Sequence, residues 1–307
     1  MKTNYYRYRF FLILFFVFFL LSCAERKAKN SYKMAEELLK NNNYKEAVAK
    51  YAEVLKYDKP IPEVEDSYYK IGIIYSKYLD DPNSAIYYFE QMFTKFPKSN
   101  RIPEVKKDIA YTYLYKLNQP EKALANLEYI EQNHKNYHML DEVVYHKSKA
   151  LISLKKYDDA MKSIENFSTV FPNSKYNEEI DYQKGLIRFN QGKYKEAIDQ
   201  YNNYIEKYPN GSFKALAKFD IGVSQENLGN YKEALETFKS IGEDYPNQEA
   251  LKIKIQKLEE RLKKKSKTPI TRTPKSLKKS REQAKKSVKR PVKKTNKRVK
   301  NSIKSEH

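Results

Sequence analysis

Few residues in this chain are of a type that does chemistry. Cys23 is its single cysteine; it offers one thiol for acylation or oxidation and cannot close a disulfide within the chain. His134, His138 and His146 gather near Asp141 and Glu142. A His-x-x-x-His pair binds zinc when both rings share a helical face. Here Gln132 to Tyr137 reads as a loop and no fourth ligand has a fixed place, so surface histidines are the plainer reading. Gly185 and Gly192-Lys193-Tyr194 imitate a phosphate loop poorly, with six intervening residues where such a loop has four and with tyrosine in place of Ser or Thr. Gly-x-Ser-x-Gly and His-Glu-x-x-His are absent. Catalysis has no support, and neither a cofactor nor a metal is expected.

The thiol has a telling context. Lys2, Arg7 and Arg9 precede an unbroken apolar run, Phe10–Leu21, that ends in Leu20-Leu21-Ser22-Cys23. A positive start and twelve apolar residues form a signal-peptide core, too short for a comfortable permanent span. The ending resembles a bacterial lipobox. That resemblance implies cleavage before Cys23, a diacylglyceryl thioether on its sulfur and acylation of the new amine. Residues 1–22 are then a lipoprotein signal peptide, and 23–30 a lipidated cysteine with a short tether. The competing reading is an uncleaved anchor with an incidental cysteine. Two or three acyl chains hold a protein stably at a membrane where one does so only marginally.

What must position any site is a repeat. Ala47, Ala85, Ala123, Ala160, Ala197 and Ala234 recur every 37 or 38 residues. Four residues after each comes a bulky side chain: Tyr51, Phe89, Leu127, Ile164, Tyr201 and Phe238. Before each lies a small one: Ala35, Gly72, Ala110, Ser148, Gly185 and Gly222. Proline follows four of the alanines at Pro97, Pro172, Pro209 and Pro246. In repeat 5 the apolar spacing predicts a helix over Ile180–Asn190, a break at Gln191-Gly192-Lys193 and a second helix over Tyr194–Lys207. The small residue opposite alanine lets two helix axes approach closely, and the large residue is expected to fill the gap to the neighbouring pair. No pair buries its apolar face alone, so stability is shared along a stack.

Small residue, alanine, aromatic and proline in this order resemble tetratricopeptide (TPR) repeats, over roughly residues 31–264. Repeats 2 and 3 carry one extra residue between the small position and the alanine, and repeat 3 has Lys135 where proline is expected. The resemblance implies an all-α, right-handed superhelical solenoid of about six helix pairs. A C-terminal capping helix is read at Gln248–Lys264, with Leu251, Ile255, Leu258 and Leu262 as its stripe. The longer unit is similar to envelope TPR proteins of diderm bacteria, among them the lipoprotein of the β-barrel assembly machine and the TPR protein working with the Tol–Pal system.

TPR arrays bind protein or peptide clients on a groove lined by the first helix of each pair. The candidates are Tyr69, Tyr145, Tyr182 and Phe219, each three residues before a small position, with Tyr111, Tyr115 and Phe189 as secondary candidates. Tyr32 and Lys107 hold the same position in repeats 1 and 3. Packing between repeats is the alternative role for these rings.

Charge is confined to one end. From Lys263 onward, 15 lysines and 4 arginines face only Glu282 and Glu306, so the tail carries +17 of the chain's net +21. With Pro269, Pro274 and Pro291 and few apolar residues, 265–307 is expected to be a disordered polyanion-binding tail. Its candidates are Lys278, Lys279, Lys285, Lys286, Lys289, Arg290, Lys293, Lys294, Lys297 and Arg298. Behind a signal peptide the polyanion is anionic lipid or cell-wall material; nucleic acid is disfavoured because no aromatics interleave the lysines. Taken together the expectation is a lipid-anchored scaffold at the outer membrane facing the periplasm, serving outer-membrane protein assembly. An adaptor linking membrane to cell wall through the tail is the alternative.

Overall fold

The computed structural model describes residues 23–267, with side chains to 264. The expected signal peptide and most of the basic tail lie outside these residues. Contacts divide the chain into two compact units after Gln248.

The first unit is a run of paired helices. In chain order they are α1 (23–40), α2 (Tyr44–Val54), α3 (Pro62–Lys77), α4 (Pro82–Lys95), α5 (Ile102–Tyr111), α6 (Pro120–Asn133), α7 (Leu140–Ser153), α8 (Tyr157–Ile164), α9 (Phe167–Val170), α10 (Asn177–Asn190), α11 (Tyr194–Lys207), α12 (Lys214–Asn227) and α13 (Tyr231–Lys239). The described residues hold no strand. Six pairs follow one another, α8 and α9 together serving as the second helix of repeat 4. The second unit contains the rest of α14 (Gln248–Lys267), along which Leu251 and Leu258 are buried and Ile253 is exposed.

Helix starts follow local chemistry. Pro62, Pro82 and Pro120 stand in the first turn, where a missing N–H costs nothing. Asp81 caps α4 by accepting from Ser84 N at 3.0 Å. One difference from the sequence reading is near the start: 24–30, expected as a tether, is helical and part of α1. Ala24 and Ala28 favour helix, Lys29 pairs with Glu25 one turn away, and Ala28 is 4% exposed.

All six ladder alanines and all six bulky partners are fully buried. Their arrangement adds to the expected packing. Where the small residue is glycine, the ring lies on that residue of its own pair and also shares a buried cluster with the next pair. A Cβ added to Gly72, Gly185 or Gly222 would overlap the ring of Phe89, Tyr201 or Phe238 respectively. The period therefore encodes contact within each pair as well as with the next, each buried side chain contributing about 1.5–3 kcal/mol.

The turn between paired helices is equally regular. Asn42, Asp80, Asn118, Lys155, Gly192 and Gly229, each five residues before a ladder alanine, all have positive φ. Lysine suffers a steric penalty of about 1–2 kcal/mol in that region, which glycine avoids at some cost in chain entropy. Lys155→Gly is thus expected to stabilise the array by about 0.5–1 kcal/mol, read as a higher denaturation midpoint with unchanged slope. The extra residue of repeat 3 is absorbed just before this turn. A π-helical turn, Thr112–Lys116, continues α5, closed by Leu117 N donating to Thr112 O at 3.1 Å.

Candidate binding groove on the first helices

The residues three before each small position all reach toward the next repeat. Tyr32 donates to Asp66 at 2.5 Å; Tyr69 donates to Glu104 at 3.0 Å and Asp108 at 3.2 Å; Lys107 donates to Glu142 at 3.2 Å. Tyr145 stacks on Tyr176 with centroids 4.5 Å apart. Tyr182 donates to Asp220 at 2.8 Å and stacks on Phe213 at 5.0 Å, and Phe219 stacks on Tyr245 at 4.7 Å. These side chains clamp successive repeats, and Tyr145 and Tyr182 do so while also lining a groove. Phe189 packs on Tyr194 across its own turn, away from that groove.

The acceptors form a column that the sequence reading missed. Asp66, Glu104, Glu142 and Glu179 stand three residues before Tyr69, Lys107, Tyr145 and Tyr182, at the period of the ladder itself. Three of the four are engaged: Asp66 by Arg101 at 2.7 Å, Glu104 by Tyr69, and Glu142 by Lys107. His146 and Lys107 hold the Glu142 carboxyl down to about 2. Burial pushes Asp108 the other way, up to about 6, and raises Asp220 likewise.

The sign of the Asp108 effect is definite. A carboxyl whose folded value is raised keeps its proton in the native state after the unfolded chain has lost its own. Its contribution is full below the unfolded value near 4 and disappears as pH rises through about 6. Asp108→Asn should therefore lose the parent's stability change between pH 4 and 6 at this site. At pH 7 it should be more stable by about 1–2 kcal/mol, the figure reduced because the side chain keeps some solvent contact. Urea titrations at pH 5 and pH 7 read both.

The histidines do not converge. His134 lies against Tyr129, His138 against Tyr137, and His146 alone enters the first-helix face, its Nδ1 2.8 Å from Tyr115 Oη. Among the described residues no group of three or more His, Cys, Asp or Glu could hold a metal. His146 instead supports an aromatic patch. Tyr111 is 46% exposed, and its ring centroid lies 4.6 Å from Tyr115 on the π-helical turn.

Beside that patch runs a groove of about 170 Å3 lined by residues of α7 and α10 and by Phe213. Ile152, Leu186, Tyr145, Tyr182 and Phe213 give it apolar walls, and Lys149, Glu179 and Gln183 are its polar lining. Profiles of the tetratricopeptide repeat family match residues 32–76 and 182–249, and 66–99.

The matched segments are tetratricopeptide repeats.

The TPR-like array is similar to three solved structures in particular. PilW, described as a widely conserved type IV pilus biogenesis factor, is 17% identical with a TM-score of 0.54, covering 75% of this chain and 97% of PilW. PilF of Pseudomonas aeruginosa is 13% identical at 0.52, covering 78% and 99%. A tetratricopeptide repeat protein from Parabacteroides merdae is 13% identical at 0.55, covering 76% and 99%. At these identities the likeness is one of fold. No curated protein matches the sequence.

Cys23 is exposed and helical, and is the first of the described residues. The candidate tail residues, Lys278 to Arg298, lie outside the described residues. No described helix is long and apolar enough to cross a membrane.

Proposed function

We propose that this TPR array is a non-catalytic scaffold whose α7–α10 groove holds a segment of a partner protein. The observation that carries the reading is the groove itself: apolar walls with polar groups at defined points, on the helices where repeats are clamped rigidly together. Rigid walls suit recognition because little order is lost when a partner docks. An exposed Cys23 after the Phe10–Leu21 run supports a lipid anchor in the bacterial envelope. The similarity of the repeat unit to envelope TPR lipoproteins supports a role in outer-membrane protein assembly. Two measurements test these parts separately. Metabolic labelling with an alkyne fatty acid should mark the parent and not Cys23→Ser; equal labelling contradicts the anchor. Depletion should lower the amount of folded outer-membrane β-barrels, and normal barrel levels contradict the assembly role.

The +17 tail favours a second reading, an adaptor between membrane and cell wall. Each basic residue near an anionic surface is worth about 1 kcal/mol. Its mark would be recovery with isolated cell wall that depends on residues 266–307, with chaining or blebbing when the gene is deleted.

A further inference from the structure

The groove carries more than apolar walls, and its polar groups point to a kind of ligand. Gln183 is only 5% exposed, yet its carboxamide meets a single protein partner, the Ser148 hydroxyl. That hydroxyl lies 2.7 Å from the Tyr145 carbonyl and 2.6 Å from Gln183 Oε1, and it has one proton for both. One end of the carboxamide meets Ser148, and the other has no protein partner and is free to hydrogen-bond a ligand in the groove that Gln183 lines. A free carboxamide N–H matches the carbonyl of a main-chain peptide unit.

Lys149 supplies the second feature. Its ammonium sits over the rings of Tyr115 and Tyr145, 5.6 and 5.1 Å from their centroids, and donates to Tyr145 Oη at 3.2 Å. These contacts hold the side chain in place without neutralising it. Its neighbours on the same helices are paired with carboxylates, Lys147 with Glu131 and Lys184 with Asp181. Lys149 has no carboxylate within 4.0 Å among the described residues. A cation held over aromatic faces, still holding unused donors, selects a carboxylate. Glu179, one turn before Gln183 on α10, also lines the groove and repels a carboxylate that comes near it.

We propose that the groove reads an extended segment of a partner protein carrying an aspartate or glutamate next to an aliphatic residue. The carboxylate meets Lys149, a main-chain peptide unit meets Gln183, and the aliphatic side chain lies on Ile152, Leu186 and Phe213. This rests on the groove being the partner's seat.

The test uses the full chain and a phage-displayed library of random ten-residue peptides. Selection on the parent should enrich peptides in which an acidic residue adjoins an aliphatic one. Gln183→Leu, isosteric in bulk and unable to hydrogen-bond, should weaken those peptides about tenfold or more. Selection on Lys149→Glu should enrich Lys or Arg at the former acidic position. Far-ultraviolet circular dichroism of each variant should match the parent. Groove-dependent peptides whose enrichment ignores charge, or that bind Lys149→Glu unchanged, overturn this inference and leave the groove as a seat. Enriched peptides that bind Leu186→Arg as well as the parent, or no enrichment at all, overturn the groove reading itself and this inference with it.

Discussion

Tyr201→Ala is expected to lower the stability of the array by about 3–5 kcal/mol, far more than truncation of an exposed ring. The ring is fully buried and lies on Gly185 so closely that a Cβ there would overlap it. It also meets Tyr182, the clamp to repeat 6, with centroids 5.6 Å apart. Truncation therefore leaves a cavity inside repeat 5 and removes the surface against which the next interface is set. In a stack whose stability is a sum of repeats and interfaces, such a loss falls on neighbours as well. Chemical denaturation followed by two probes, one at each end of the array, should show the transitions separating. Tyr201→Phe supplies the control, since it keeps the ring and removes only a buried hydroxyl that lies near Asp220 without a well-formed hydrogen bond. It should cost less than about 1 kcal/mol. Tyr87→Ala, at a position 56% exposed, should fall within about 0.5 kcal/mol of the parent. A Tyr201→Ala protein as stable as Tyr87→Ala would contradict the ring-on-glycine account of the ladder.

Leu186→Arg is expected to have the largest effect on partner binding. Leu186 forms part of the groove wall one turn beyond Tyr182 and is only half-buried, so a long side chain finds solvent without disturbing the core. It does, however, place a guanidinium beside the ammonium of Lys149 and fill the volume a ligand needs. Recovery of partners on the immobilised full chain, quantified protein by protein, should fall more than tenfold. The thermal midpoint should stay near the parent's, because the residue contributes little to the packed interior. Unchanged recovery would move the binding site elsewhere on the surface.

Much of this architecture can be read from the residue types because the physics repeats. Ala197 and Tyr201 predict a second helix at Tyr194–Lys207, and that is where it lies. Gly192, five residues before Ala197, predicts the turn that its positive φ produces. The same turn at Lys155 was hidden, because lysine gives no sign of the left-handed conformation that its place in the repeat imposes. The direction of the bulky residue was also hidden: a spacing of four fixes which face Tyr201 occupies but not which small residue its ring covers. At the start, a lipidation reading of Cys23 suggests a tether, whereas the Glu25–Lys29 pair already makes it helix.

The groove was legible in part. Tyr145 and Tyr182 stand in a periodic column that marks the first-helix face, and the acidic column three residues earlier has the same period. Lys149 and Gln183 have no such mark, since neither type recurs at its position in the other repeats. What distinguishes them is three-dimensional: one hydroxyl that fixes the end of a carboxamide, and two rings that hold an ammonium.

The most direct test of the central claim is photo-cross-linking in living cells. A photoreactive amino acid is placed at position 186, in the groove, or at position 195, which is exposed on α11 of the same repeat. Adducts to discrete partner proteins from position 186 and none from 195 are the predicted result. Adducts from 195 with none from 186 would show that partners dock on the second helices, and the groove would lose its role.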